Sequence, residues 1–161
     1  MVSLPDRSLI IGNSGSGKTT LARAISNSHH HPFIGLDRIH WEEGGFAQKR
    51  DEQAARRLTR EAAAADRWVM EGVYGWLSEE ALPRAQALLW LDLPWAECRA
   101  GLLDRKTNQP IDAELLLWAE QYWTRDTSSS FAGHQRLYEG FAGDKLQFNR
   151  RDDVAAFIAR L

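Results

Sequence analysis

The residues Gly12-Asn13-Ser14-Gly15-Ser16-Gly17-Lys18-Thr19 follow the spacing G-x-x-x-x-G-K-[ST], and the chemistry that spacing serves is the binding of nucleotide phosphates. Glycines let the backbone turn its N–H groups inward with no side chain obstructing the ligand. Lys18 supplies a point charge for β- and γ-phosphates, and the Thr19 hydroxyl is placed to ligate magnesium. The helix expected to follow, with Thr20 in its first turn, adds its positive end. Gly12 to Thr20 is therefore the expected ATP–magnesium site.

Moving a phosphoryl group onto a hydroxyl needs further groups: an acid to hold the metal ion or its waters, and often a second to take the acceptor's proton. Asp37, Glu71 and Asp92 each follow a short apolar run. Each also has a plainer use, Asp37 and Asp92 as helix caps and Glu71 as a solvated loop acid. Cations beyond Lys18 would come from Arg105, Arg125 or Arg136, with Arg84 on the acceptor side, unless surface ion pairs with Asp104 or Asp126 occupy them. Trp41, Tyr74 and Trp76 fall where flat rings would wall an acceptor pocket. Trp68, Trp90 and Trp118 are expected in the core. His29-His30-His31, adjacent before Pro32 with no Cys or acid at ligand spacing, does not make a metal site, and His134 reads as a packed or hydrogen-bonded histidine.

These residues need a scaffold that presents them together. Short apolar runs at Ser8–Ile11, Phe33–Leu36, Trp68–Met70, Ala87–Leu91 and Leu146–Phe148 read as strands separated by helical segments, the pattern of a parallel α/β sheet. A helix over 47–65 is expected to turn Ala54, Leu58, Ala62 and Ala65 inward. Others begin at Pro94 (Trp95, Cys98, Leu102 inward) and Pro110 (Ile111, Leu115, Trp118, Tyr122). Two more carry Phe131, His134, Tyr138, Phe141 and Val154, Phe157, Ile158, Leu161.

At 161 residues and 43% hydrophobic content the chain suits one domain, 1–161, with a lid at about 106–130 hinged at Thr127-Ser128-Ser129-Ser130. Twenty Lys and Arg against 22 Asp and Glu leave no chain-wide positive field, which argues against nucleic acid as a partner. Sixteen of those cations are arginine, suited to forked recognition of phosphate or carboxylate. Cys98 is the single cysteine, so no intrachain disulfide forms. No run approaches membrane-spanning length, and the expected location is the cytoplasm.

Gly12 to Thr20, Gly35-Leu36-Asp37 with Trp41, Trp68 to Tyr74, Leu89 to Pro94 and then Arg105 together resemble the small P-loop kinases of the adenylate kinase and shikimate kinase type. The resemblance is strongest to short bacterial adenylate kinase-like proteins, also called DNA topology modulation proteins. It implies a three-layer P-loop NTPase fold with a five-stranded parallel sheet in the order 2-3-1-4-5. It also implies an ATP-dependent phosphotransferase acting on a nucleotide or hydroxylated metabolite, with Asp37 orienting the acceptor, Glu71 in the magnesium shell and Arg105 over the ATP; Arg125, ahead of Thr127-Ser128-Ser129-Ser130, is a further catalytic candidate from its position alone. The topology-modulation relatives imply an alternative, an ATP-binding regulator or DNA-associated ATPase. The sequence departs from the pattern in carrying Glu rather than Asp before Gly72, and in lacking the usual lid arginine pair.

Overall fold

The computed structural model describes residues 2–44, 48–104 and 112–161. The strands are β1 (Arg7–Gly12), β2 (Phe33–Gly35), β3 (Trp68–Glu71), β4 (Ala87–Leu91) and β5 (Asp144–Phe148). They form one sheet in the order β2-β3-β1-β4-β5, and every pairing is parallel. The expected order is therefore the observed one.

The helices are α1 (Lys18–His29), α2 (Leu36–His40), α3 (Glu52–Ala63), α4 (Gly75–Ala81), α5 (Trp95–Leu103), α6 (Ala113–Glu120), α7 (Phe131–Gly140) and α8 (Arg151–Ala159). They cover both faces of the sheet, which is why the central strands read as unbroken apolar runs. Successive strand residues point to opposite faces. Leu9, Ile11, Met70, Leu88 and Trp90 meet α2, α3, α4 and α7, while Ile10, Val69, Leu89 and Leu91 meet α1, α5 and α8.

Three expectations shift. Leu36 is not strand but the first residue of α2, where it is buried while Asp37 beside it is exposed. Helix α3 starts at Glu52, its first turn capped by the Asp51 side chain accepting from the Ala54 N–H at 3.0 Å, a contact of about 1 kcal/mol. Its buried stripe is Ala55, Thr59 and Ala63, one residue on from the expected face. Thr59 can be buried there because its hydroxyl donates to the Ala55 carbonyl at 2.9 Å. Trp118 is half-buried, not core, and carries the Arg125 guanidinium 4.1 Å above its ring.

The expected hinge at 127–130 is a packed turn. Ser129 and Ser130 are buried, the Ser130 side chain caps α7 by accepting from the Gly133 N–H, and Ser129 Oγ accepts from the Gly75 N–H. Pro110, Ile111 and residues 106–109 of the expected lid lie outside the described residues. Among the described residues no helix is long and apolar enough to cross a membrane.

Candidate functional site

The site is built where β1, β2 and β3 end, the edge at which open α/β sheets bind ligands. Strand β1 ends in Gly12, the chain wraps through Gly15 and Gly17, and α1 begins at Lys18. Gly15 (φ +81°) and Gly17 (φ +95°) lie in the left-handed region, so the turn that aims the loop N–H groups inward depends on glycine. Asn13 secures the loop from within: its Oδ1 accepts from the Ser14 N–H at 2.8 Å and its Nδ2 donates to the Ala119 carbonyl of α6 at 2.9 Å. Lys18 is buried and its ammonium donates to the Asn13 carbonyl at 2.8 Å. Ser16 Oγ is buried without a hydrogen-bond partner, an unmet donor inside the loop.

Glu71 ends β3 directly beside this loop. It is 4% exposed and accepts a hydrogen bond from the Thr19 hydroxyl at 3.0 Å. Burial raises its pKa above the usual carboxylate value, and the nearby Lys18 charge works in the opposite direction. Asp37, at the head of α2, adds a repulsive field that raises Glu71 further. The same Asp37 faces the Tyr74 hydroxyl, which burial first and Asp37 second push well above its ordinary pKa. A line of groups thus runs from Lys18 and Thr19 through Glu71 to Asp37 and Tyr74.

Asp37 also lines an open pocket of about 520 Å³ together with Arg38, Trp41, Glu42, Glu43, Gly44 and Arg50. Among the described residues Trp41 is the pocket's one aromatic lining residue, and it belongs to a cluster of rings behind it. The His40 ring stacks on Tyr74 at 3.9 Å and meets Trp41 and Trp76 edge-on, while Trp41 Nε1 donates to the Tyr74 hydroxyl at 3.3 Å. Burial, with the Lys49 charge second, lowers the His40 pKa against the pull of Asp37, so this ring is neutral near pH 7. Arg50 braces the segment by donating to the Ile39 and Trp41 carbonyls and pairing with Glu42 at 3.6 Å.

The other candidates separate by position. Arg105 lies outside the described residues. Arg125 donates to the Trp118 and Ser129 carbonyls, and burial lowers its pKa. Arg136 forms an exposed pair with Asp126, the plainer of its two readings. Arg84 is a correction: it donates to the Ala63, Ala64 and Ala65 carbonyls ahead of β3, at the opposite end of the strands from the loop. Asp92 accepts from Gln147 and Asn149 beside the edge strand and makes no bond to the loop. His134 is wholly buried, accepting at Nδ1 from the Tyr122 hydroxyl (2.7 Å) and donating from Nε2 to the Val73 carbonyl (2.8 Å). Tyr122 in turn accepts from Trp90 Nε1, so this chain of bonds anchors the 71–76 turn rather than reaching the site. No group of three or more His, Cys, Asp or Glu able to hold a metal is found among the described residues.

Sequence reasoning did not find His40, Arg50 or Arg151. The Arg151 guanidinium donates to the Gly15 carbonyl at 3.0 Å from 136 residues away, and nothing local in the sequence announces such a contact.

No family model matches this sequence, and no curated protein matches it either. Solved structures do match its fold. A gluconokinase from Sinorhizobium meliloti 1021 superposes with a TM-score of 0.62 at 16% identity, covering 99% of this chain and 94% of that one. A shikimate kinase from Bacteroides thetaiotaomicron gives 0.62 at 22%, covering 96% and 95%. A sugar kinase from Janibacter sp. HTCC2649 gives 0.58 at 16%, covering 98% and 92%. At these identities the likeness is one of fold: the chain shares the five-stranded parallel α/β architecture of these kinases.

Proposed function

We propose that this protein is a small-molecule kinase that transfers the γ-phosphoryl group of ATP to a hydroxyl of an acceptor bound in the Asp37–Trp41 pocket. The observation that carries this reading is the unbroken line from the phosphate loop to that pocket: Thr19 on Glu71 at 3.0 Å, Glu71 in the field of Lys18 and Asp37, and Asp37 on the pocket wall. The named activities of the gluconokinase and the shikimate kinase, whose fold is shared, support it in class but not in substrate.

In this reading Gly12 to Thr20 hold the triphosphate, with the inward N–H groups and the unpartnered Ser16 hydroxyl as donors. Lys18 exchanges the Asn13 carbonyl for phosphate oxygens. The adjacent oxygens of Thr19 and Glu71 fit a hard cation that keeps most of its shell as water and phosphate. Magnesium there would neutralise charge on the β- and γ-phosphates. Asp37, exposed and aimed at the pocket, orients the acceptor hydroxyl and takes its proton. Arg125, on exchanging the Trp118 or Ser129 carbonyl for phosphate oxygens, and Arg105 would supply the cations that cover the transferring group. The Trp41 ring, backed by His40 and Tyr74, would give the acceptor a flat surface.

The test is calorimetric titration with ATP–magnesium, followed by ADP release across a panel of polyols, hydroxy acids, nucleosides and nucleoside monophosphates. Binding by the wild type, a loss of about 10- to 100-fold in Lys18→Ala from removing charge-assisted contacts, and a phosphorylated product from one acceptor class are expected. Unchanged affinity in Lys18→Ala, or tight binding with no product from any class, refutes the kinase.

A further inference from the structure

A loop that turns its amides inward to meet phosphate must turn its carbonyls outward, and an outward carbonyl packed against a helix needs a donor. In this loop the demand falls on Gly15. Its left-handed backbone brings it against α5 so closely that a Cβ there would lie 2.2 Å from the Cys98 carbonyl and 2.7 Å from Leu102 Cγ. The facing position on α5 is also glycine, Gly101, where a Cβ would lie 2.2 Å from the Gly15 carbonyl oxygen and 3.0 Å from the Arg151 guanidinium. Glycine inside a helix is unfavourable by about 1 kcal/mol relative to alanine, so its presence marks a place where close approach is worth more than helix propensity.

What fills that junction is Arg151, the first residue of α8. Its Nη2 donates to the Gly15 carbonyl at 3.0 Å and to the Glu97 carbonyl of α5 at 2.9 Å. Its Nη1 lies 3.2 Å from where a Cβ on Gly17 would stand. The arrangement is reciprocal, because the Glu97 carboxylate accepts from the Arg151 backbone N–H at 3.1 Å and so holds the start of α8. No carboxylate among the described residues lies within ion-pair distance of this guanidinium, so its donors serve backbone carbonyls rather than an acid. Both bonds come from one terminal nitrogen, whose two hydrogens reach carbonyls of different elements.

We propose that Arg151 is a positioning residue for nucleotide binding: it ties the outward face of the phosphate loop to α5 and α8, and thereby keeps the loop amides aimed at the phosphates before ATP arrives. The inference rests on the reading of Gly12 to Thr20 as a phosphate site. Without Arg151 the half-buried Gly15 carbonyl, packed beside Gly101, loses its side-chain donor, and the Gly15–Gly17 turn loses the bond that holds it. Preorganisation of the loop is then a cost that ATP binding must meet.

Hydrogen exchange and ATP titration of Arg151→Ala and Arg151→Lys test this. Exchange at the amides of Gly15 to Lys18 is expected to quicken about tenfold in Arg151→Ala, with ATP affinity falling by about the same factor and core amides of β1 and β4 unchanged. Arg151→Lys, whose ammonium keeps a multiple donor on a shorter stem, should recover part of both losses. Loop exchange and ATP affinity within twofold of wild type would overturn the proposal. So would exchange that quickens equally in the loop and in β1 and β4, the mark of general destabilisation. If Arg151→Ala does not fold, Arg151→Met, which keeps the stem and removes the donors, carries the same readings. Should the wild type bind no ATP, the functional reading fails, while loop exchange still decides whether Arg151 holds the turn.

Discussion

Acid should weaken this fold through His134, by an amount that follows from its burial. The imidazole is wholly buried, with Nδ1 accepting from Tyr122 and Nε2 donating to Val73, and burial lowers its pKa from 6.5 to about 3. In the unfolded chain the same ring titrates near its ordinary value. The unfolded state therefore binds the extra proton first, and stability contributed by the neutral ring is complete above about pH 6.5 and is lost as pH falls towards about 3. At pH 5 an imidazole with a pKa near 6.5 is almost fully protonated when unfolded, and folding must remove that proton across roughly 1.5 pH units at about 1.4 kcal/mol each. The expected loss between pH 7.5 and pH 5 is thus about 2 kcal/mol, nearly independent of the folded value so long as that lies below about 4. Buried carboxyls such as Glu71, whose raised pKa acts in the opposite sense, contribute alike to wild type and variant. Urea unfolding of wild type and His134→Gln at both pH values isolates the histidine: the wild type should lose about 2 kcal/mol more than the variant. Equal losses refute the argument, as would an NMR signal showing His134 protonated in the folded protein at pH 5.

Two further outcomes follow from the site. Gly15→Ala forces a side chain into a left-handed turn and against the Cys98 carbonyl, so it should weaken ATP binding at least about tenfold and lower the melting temperature; calorimetry with normal affinity would contradict the loop geometry described. Asp37→Asn keeps the shape but not the base, and should lower acceptor-dependent turnover by about 100-fold or more while leaving ATP affinity within twofold, measured by ADP release against titration.

The sequence by itself determined the phosphate loop and the strands, while their order came only from the family resemblance. The loop and strands depend on short-range information: fixed glycine spacing, apolar runs long enough for one strand, and a helix start signalled by Pro94. A parallel sheet buried on both faces makes its strands conspicuous, because both sides of each run must be apolar. Asp37 and Glu71 were legible for the same reason, as acids placed just past strand ends. Only the tertiary structure decided which polar groups meet. It gave Glu71 the Thr19 hydroxyl, moved Arg84 to the far end of the sheet, turned His134 into an anchor for the 71–76 turn, and made Ser129 and Ser130 a packed cap instead of a hinge. It also brought Arg151 to Gly15 across 136 residues. A side chain's hydrogen-bond partner is set by the register and packing of distant elements, and no spacing along the chain encodes it.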